Sequence, residues 1–376
     1  MTNFGDSTRC VRAGIGPRQA GQAFLPGPVL AAPYHLSPAE GTEPHTYARS
    51  SNPSWAGLEA GIAELEGDGD PDVGAVVTGS GMAAITMLLR TVLRAGDLLV
   101  LPSDGYYQVR AYANERLAPL GVLVREVPTP TMADAVAGAR LVFAETPSNP
   151  GLDVVDLREL AAATRSAGAL LAVDNTTATP LGQLPLRLGA DVVVASGTKA
   201  LSGHSDLLMG YVATADAELL AALARERLLS GSVLGPFEAW LAHRSLASAA
   251  LRLDRQCCTA AALAAAMQSH PMVRELRWPG LASDPAHPVA AAQMTRYGGV
   301  LRFELPSASA VHAFVAASEL ICAATSFGGL HTTADRRARW GDAVGEGFVR
   351  ISCGIEDTDD VVRDVLAALD SVGDVH

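Results

Sequence analysis

Residues 169–199 read ALLAVDNTTATPLGQLPLRLGADVVVASGTK. Two apolar runs, 169–174 and 192–195, stand here with almost no alternation of polar and apolar residues. A strand with one wet face alternates, whereas a near-continuous apolar run belongs to a sheet covered on both faces. Each run ends in polar residues, Asp174-Asn175-Thr176 after the first and Ser196-Gly197-Thr198-Lys199 after the second. Ligands of open α/β sheets bind beyond the carboxyl ends of the strands, so these two turns are where chemistry is to be sought.

The pattern repeats outward. Residues 73–78, 98–101, 141–145 and 209–213 read as further strands. Leu58, Ile62 and Leu65 have helical spacing, as do stretches 82–93 and 156–166. Strands alternating with helices predict an α/β class fold with a mostly parallel sheet. Residues 231–236 read as a boundary, and the Ala-rich stretch 237–267 as one long helix. Beyond it, strands at 300–305 and 348–352 with helices near 310–317 and 359–369 suggest a smaller α+β unit. The expected organisation is an N-terminal arm (1–50), a large α/β domain (51–235) and a C-terminal α+β domain (236–376). The arm is rich in Gly and Pro with little periodicity, the kind of segment that packs on another subunit or stays in solvent.

The 376 residues are 49% hydrophobic, ample for two cores, and carry 28 basic against 40 acidic residues, a formal charge of −12. So acidic a chain is a poor partner for nucleic acid. The five cysteines, Cys10, Cys257, Cys258, Cys322 and Cys353, fit neither a zinc spacing nor a disulfide framework. No apolar run reaches membrane-spanning length and the first ten residues have no apolar signal core. The expectation is a cytoplasmic protein with reduced thiols, no metal and no membrane partner.

Lys199 follows an apolar strand, where its ammonium must be desolvated. Desolvation lowers an amine's pKa and suits a Schiff-base nucleophile. Asp174 lies 25 positions earlier (199 − 174) at the end of the neighbouring run, where a carboxylate could keep a pyridine nitrogen protonated. Gly79-Ser80-Gly81-Met82 sits between a strand and a helix, a place for an anion at a helix N-terminus. Each element has a plainer explanation by itself: a surface lysine, a turn cap, an ordinary glycine turn. Their order in one chain is what points to a bound cofactor. A Gly-x-Gly-x-x-Gly turn after the first strand, as a dinucleotide site would need, is lacking.

The chain resembles the Cys/Met-metabolism enzymes that depend on pyridoxal 5′-phosphate (PLP), which include cystathionine γ-lyase, γ-synthase and β-lyase and methionine γ-lyase. The resemblance runs from Tyr47 to about Asp370. It is carried by Tyr47-Ala48-Arg49-Ser50-Ser51-Asn52-Pro53, Gly79-Ser80-Gly81-Met82-Ala83-Ala84 and Glu145-Thr146-Pro147-Ser148-Asn149-Pro150. It continues through Val173-Asp174-Asn175-Thr176, Ser196-Gly197-Thr198-Lys199, Gly203-His204-Ser205-Asp206 and Arg350-Ile351-Ser352-Cys353-Gly354-Ile355-Glu356-Asp357. It implies the aspartate-aminotransferase-like fold, fold type I, with PLP as cofactor. Lys199 would carry the cofactor as a Schiff base and move protons, and Asp174 would face the pyridine nitrogen. Gly81, Met82, Ser196 and Thr198 would hold the phosphate, Thr176 would be a further cofactor-binding residue, and Tyr106 would stack on the ring, with Tyr107 its competitor. Asn149, Ser326 and Arg350 would hold the substrate carboxylate. Tyr47 and Arg49 would reach the phosphate of a neighbouring subunit, in a dimer with shared sites that the family usually doubles to a tetramer.

The reaction implied is α,γ-elimination on a sulfur amino acid, cystathionine first, with γ-synthase and methionine γ-lyase chemistry as alternatives. A non-catalytic PLP-fold protein would have to lack the lysine or the aspartate, and both are present. The chain departs from the family pattern where the substrate side chain is expected. Tyr107-Gln108 replaces a glycine pair, Phe327 a leucine, and Thr325 the glutamate of γ-synthases and many γ-lyases. The stretch 331–348 is short and charged, with Arg336, Arg337 and Arg339.

Overall fold

Seven strands make up the larger sheet of the computed structural model, which describes residues 4–17, 20–38, 41 and 43–373. They are β1 (Gly74–Thr78), β2 (Leu98–Pro102), β3 (Leu123–Val127), β4 (Leu141–Glu145), β5 (Leu170–Asp174), β6 (Val192–Ala195) and β7 (Gly210–Thr214). Their spatial order is β1-β7-β6-β5-β4-β2-β3. Strands β6, β5, β4, β2 and β3 run parallel, and only β7 is antiparallel, to both of its neighbours. The α/β class with a mostly parallel sheet is therefore the observed one.

The lack of alternation in these strands has a direct cause. Along β4, Leu141 and Phe143 pack into one apolar layer with Leu88 of the helix Gly81–Val92, while Val142 and Ala144 pack into another with Leu160 of the helix Leu157–Ser166. Both faces are covered, so both parities of the strand are apolar. Each such side chain contributes about 1.5–3 kcal/mol by leaving water. Strand β3, not anticipated from the sequence, is the exception: as an edge strand it is largely exposed or half-buried and reads Leu-Val-Arg-Glu-Val.

A second, five-stranded sheet follows in the chain. It consists of β8 (Arg274–Arg277), β9 (Val300–Glu304), β10 (Cys322–Ala323), β11 (Thr333–Arg336) and β12 (Phe348–Ser352), in the order β10-β11-β12-β9-β8. Its core joins Phe303, Phe314, Val349, Ile351 and Val365.

Two expectations need correcting. Stretch 237–267 is two helices, Pro236–Leu246 and Ala249–Met267. The break occurs where Arg252 turns its guanidinium back onto the carbonyl of Ser245 at 2.9 Å and onto those of Ala200 and Leu201 at 2.8 and 3.0 Å. The first 50 residues are also not wholly irregular. Residues Asp6–Arg12 form a helix that buries Cys10, and the His243 ring meets the Ala13 carbonyl at 2.8 Å. Residues 1–3 and 374–376, the outer ends of the expected arm and C-terminal unit, lie outside the described residues. Among the described residues, no helix is long and apolar enough to cross a membrane.

Candidate active site

The carboxyl ends of β4, β5 and β6 open into a cavity of about 510 Å³ closed on its other side by the second sheet. Asp174, the last residue of β5, and Lys199, in the turn after β6, both line it. The short parallel strands place these turns side by side. Thr176 cross-links them: its N–H donates to Asp174 Oδ1 at 2.9 Å, and its Oγ1 accepts from the Ser196 N–H at 2.8 Å.

Burial pushes the Asp174 carboxyl up to about 6, with bonds from Thr176 and the Lys199 charge pulling the other way. Burial lowers the Lys199 amine to about 8, helped by the Arg350 charge and opposed by Asp174. An amine so placed is more often unprotonated near neutral pH than a free lysine, as a nucleophile requires. Its Nζ lies 5.6 Å from the Phe327 ring centroid, and the Arg350 Cζ lies 5.2 Å from the same centroid. Phe327 is thus a shared apolar wall for two cations.

The helix Gly81–Val92 points its N-terminus into the cavity. Ser80 caps it, its hydroxyl accepting from the Ala83 N–H at 3.1 Å. The N–H groups of Gly81 and Met82 have no intrahelical partner, and both residues line the cavity. Gly81 is required here, since a Cβ would lie 2.6 Å from Ser196 Cβ. Of the two hydroxyls beside Lys199, that of Ser196 has no hydrogen-bond partner among the described residues, whereas that of Thr198 donates to the Met209 carbonyl at 3.1 Å and accepts from the Met209 N–H at 2.9 Å. Backbone donors, a free hydroxyl, a buried carboxylate and a buried amine together fit a flat cofactor with an anionic tail and an electrophilic carbon. Tyr106 and Tyr107 both line the cavity, their rings edge to face at 5.3 Å.

Opposite lies Arg350, in the middle of β12 and 3% exposed. Its Nη1 donates to Asn149 Oδ1 at 2.6 Å and its Nη2 to the Ser326 carbonyl at 2.8 Å. Ser326 holds that carbonyl in place at φ +76°, a conformation non-glycine residues rarely adopt. Burial, then the charge of Arg337, lowers the Arg350 guanidinium to about 10. Arg337 and Trp340 complete this wall. Arg336 instead pairs with Glu346, and Arg339 lies over the Trp340 ring at 4.9 Å.

The structure thus brings Gly81, Met82, Tyr106, Asn149, Asp174, Thr176, Ser196, Thr198, Lys199, Ser326 and Arg350 around one cavity. It does not bring Tyr47 and Arg49 there. Tyr47 is 48% exposed and Arg49 lies over its ring at 5.6 Å. Sequence reasoning passed over Glu145, the last residue of β4 and the register partner of Asp174. It accepts from the Tyr106 N–H at 2.6 Å and the Asn149 N–H at 2.8 Å, so it positions two neighbours of the cavity. Burial and the nearby Asp174 hold its carboxyl well above the usual range. Its strand-end position, the same as that of Asp174, was the available signal. Arg252 was missed too; it bonds the carbonyls of the two residues after Lys199. Among the described residues, no group of three or more His, Cys, Asp or Glu could hold a metal ion.

Residues 7–370 match the family model described as Cys/Met metabolism PLP-dependent enzyme. The chain is 53% identical over 369 residues to a Streptomyces coelicolor protein named "Putative cystathionine gamma-lyase", covering 97% of this chain and 94% of that one. It is 35% identical to an L-methionine gamma-lyase of Pseudomonas deceptionensis, over 98% of both. The crystal structure of cystathionine gamma synthase from Xanthomonas oryzae pv. oryzae in complex with cystathionine superposes with a TM-score of 0.93 at 35% identity, over 99% of both chains. The chain belongs to the Cys/Met metabolism PLP-dependent enzymes, and pyridoxal phosphate is its cofactor.

Proposed function

We propose that this member of the Cys/Met metabolism PLP-dependent family is a carbon–sulfur lyase that splits cystathionine by α,γ-elimination into cysteine, 2-oxobutanoate and ammonia. The observation that carries the reading is the buried amine of Lys199, lowered to about 8, in one cavity with Asp174 and Arg350. Its extensive identity to the Streptomyces protein supports the choice of substrate.

When bound, pyridoxal phosphate supplies an electron sink for negative charge at the substrate Cα. Lys199 would hold its aldehyde carbon, Asp174 its ring nitrogen and Tyr106 its ring face. Gly81, Met82, Thr176 and Ser196 would surround its phosphate. Thr198 would join them by turning its hydroxyl away from Met209. The Arg350 fork, with Asn149 and Ser326 beside it, holds the substrate α-carboxylate. Lys199 Nζ takes the proton from Cα and delivers protons where the reaction needs them. The Phe327 wall keeps water from both cations.

Tyr47 and Arg49 are the residues offered to a second subunit. Their exposure supports this, as do the bare apolar side chains Phe24, Leu30 and Leu36 on the same segment. Two-fold pairing would then build two shared sites, and two such dimers a tetramer. We read residues 1–50 as this arm, 51–235 as the cofactor domain and 236–376 as the second domain. Five free cysteines agree with a cytoplasmic enzyme.

A product assay tests the reading. The purified enzyme is given cystathionine, homocysteine, methionine, and an activated homoserine ester with cysteine. The expected outcome is the highest kcat/KM for cystathionine, with 2-oxobutanoate and cysteine formed. Faster formation of cystathionine from the ester would replace elimination by γ-replacement, the reading that the likeness to the γ-synthase favours. Faster methanethiol release would point to methionine. For the shared site, inactive Arg49→Ala and Lys199→Ala subunits are mixed. Activity returns if the site is shared, and stays absent in proven mixed oligomers if it is not.

A further inference from the structure

We propose that Arg337 is the specificity-determining residue of the cavity, selecting substrates whose distal end carries a carboxylate. The inference deepens the elimination reading and rests on it for the identity of the site.

Arg337 is 5% exposed, yet it lines the cavity. A guanidinium has five N–H donors. Three are engaged from behind: Nε donates to Asp342 Oδ2 at 2.8 Å, Nη2 meets the same oxygen at 2.6 Å, and Nη1 donates to Asp335 Oδ2 at 3.0 Å. Trp340 Nε1 donates to Asp335 at 2.9 Å, which fixes that carboxylate and the indole beside it. Neither carboxylate lines the cavity. The arrangement thus holds the guanidinium rigid and leaves it two donors for a ligand.

The net charge of Arg337 with its two carboxylates is negative, so attraction at a distance does not select the ligand. Selection comes from direction and dryness. A distal carboxylate can accept the two remaining donors in forked geometry. A methyl end would bury them without an acceptor, a penalty that a site built for hydrogen bonds imposes on ligands lacking them. Arg350 is the second guanidinium in the same cavity, close enough for the charge of Arg337 to lower its pKa. Two forks in one cavity match an amino acid with carboxylates at both ends.

The test uses the holoenzyme and two ligands without a leaving group. L-2-aminosuberate spaces its carboxylates by the same number of atoms as cystathionine, and L-2-aminooctanoate has the same chain with a methyl end. Calorimetric titration of the parent should give a Kd at least about tenfold lower for the dicarboxylate. In Arg337→Met that ratio should fall to about 1, with the Kd of aminooctanoate changed by no more than about threefold. The single variant leaves Asp335 and Asp342 buried without their partner, so Arg337→Met/Asp335→Asn/Asp342→Asn is measured beside it and decides if the single variant is unfolded. A parent with no preference overturns the proposal. So does a preference that survives the substitution, or an equal loss for both ligands, which marks a structural role. Release of 2-oxobutanoate from cystathionine is followed in the same preparations. Arg337-dependent preference without that product sinks the elimination reading alone; product without the preference sinks this proposal alone.

Discussion

The two walls of the cavity are held in place by different means. On the larger sheet, Asp174 and Lys199 stand within four residues of a strand end, in turns tied by main-chain N–H groups: those of Thr176 and Ser196 donate to Asp174 Oδ1 and Thr176 Oγ1, and that of Lys199 to the Ser196 carbonyl. On the opposite wall the guanidinium of Arg350, in β12, is held by the Asn149 side chain, 201 positions away, and by the Ser326 carbonyl, and that of Arg337, just after β11, by two buried carboxylates. A wall built from main chain tolerates little change in where its groups sit. A wall built largely from side-chain contacts can be rewired by exchanging side chains. The contrast suggests that the first sets what reaction occurs and the second which molecule undergoes it.

Replacing Lys199 should break the first wall most completely. Lys199→Ala is expected to lower kcat by about 10⁴-fold or more, with circular dichroism unchanged. Borohydride reduction of the parent followed by peptide mapping should label Lys199, and a label elsewhere would remove it from this role. Asp174→Asn should cost about 10²–10³-fold in kcat, since a neutral partner no longer holds the ring protonated. The same change carries a stability signature. The folded-state value of about 6 lies above the ordinary 3.8, so this group's contribution is complete below the ordinary value and is lost as pH rises through 6. The cofactor-free Asn variant escapes that loss. It should be more stable than the cofactor-free parent at pH 8 by about 1–3 kcal/mol, and by less at pH 4.5, in urea melts. Near-parental turnover would end the distinction between the walls.

On the second wall, Arg350→Lys keeps the charge but loses the fork. A fall in kcat/KM of about 10–100-fold is expected, mostly in KM. A fall in kcat alone would give Arg350 to the reaction rather than to binding. The smallest effect lies behind the first wall. There Glu66 is raised to about 7 by burial, against the bond its Oε1 accepts from Tyr211 at 2.6 Å and the nearby Asn175 side chain, and its Oε2 has no hydrogen-bond partner among the described residues. Its contribution is complete below the ordinary 4.5 and lost as pH rises through 7. Glu66→Gln should therefore gain up to about 1 kcal/mol on the parent between pH 6 and pH 8.5, read by thermal melts, with kcat unaltered.

The same contrast governs what could be read from the chain. Val192–Ala195 was legible to the residue because a strand covered on both faces has an unmistakable composition, and Asp174 and Lys199 were legible as polar residues ending such runs. Edge strand β3 carried no such signature, since much of it faces solvent. The break after Leu246 was hidden because alanine favours helix on both sides of it, while its cause, the reach of Arg252 back to Ser245, is tertiary. Arg337 stood out only as one of three arginines. Which of them enters the cavity depends on Asp335 and Asp342 meeting around a turn, and no local periodicity encodes that. Glu145 stands in one of the family motifs, but its bond from the Tyr106 N–H appears only once β2 and β4 lie side by side.

The bond between Asn149 and Arg350 has a consequence in time as well as in space. A ribosome adds about 5–20 residues per second, so roughly 10–40 s separate the synthesis of these two residues. Once Thr214 completes the larger sheet, 136 residues (350 − 214) still separate it from Arg350, about 7–27 s at the same rate, during which that sheet can form with its reactive amine facing a crevice that lacks its far side. A nascent chain of this protein therefore passes through a stage in which the lysine is open to any small aldehyde, and only the arrival of β12 turns that open crevice into a selective one.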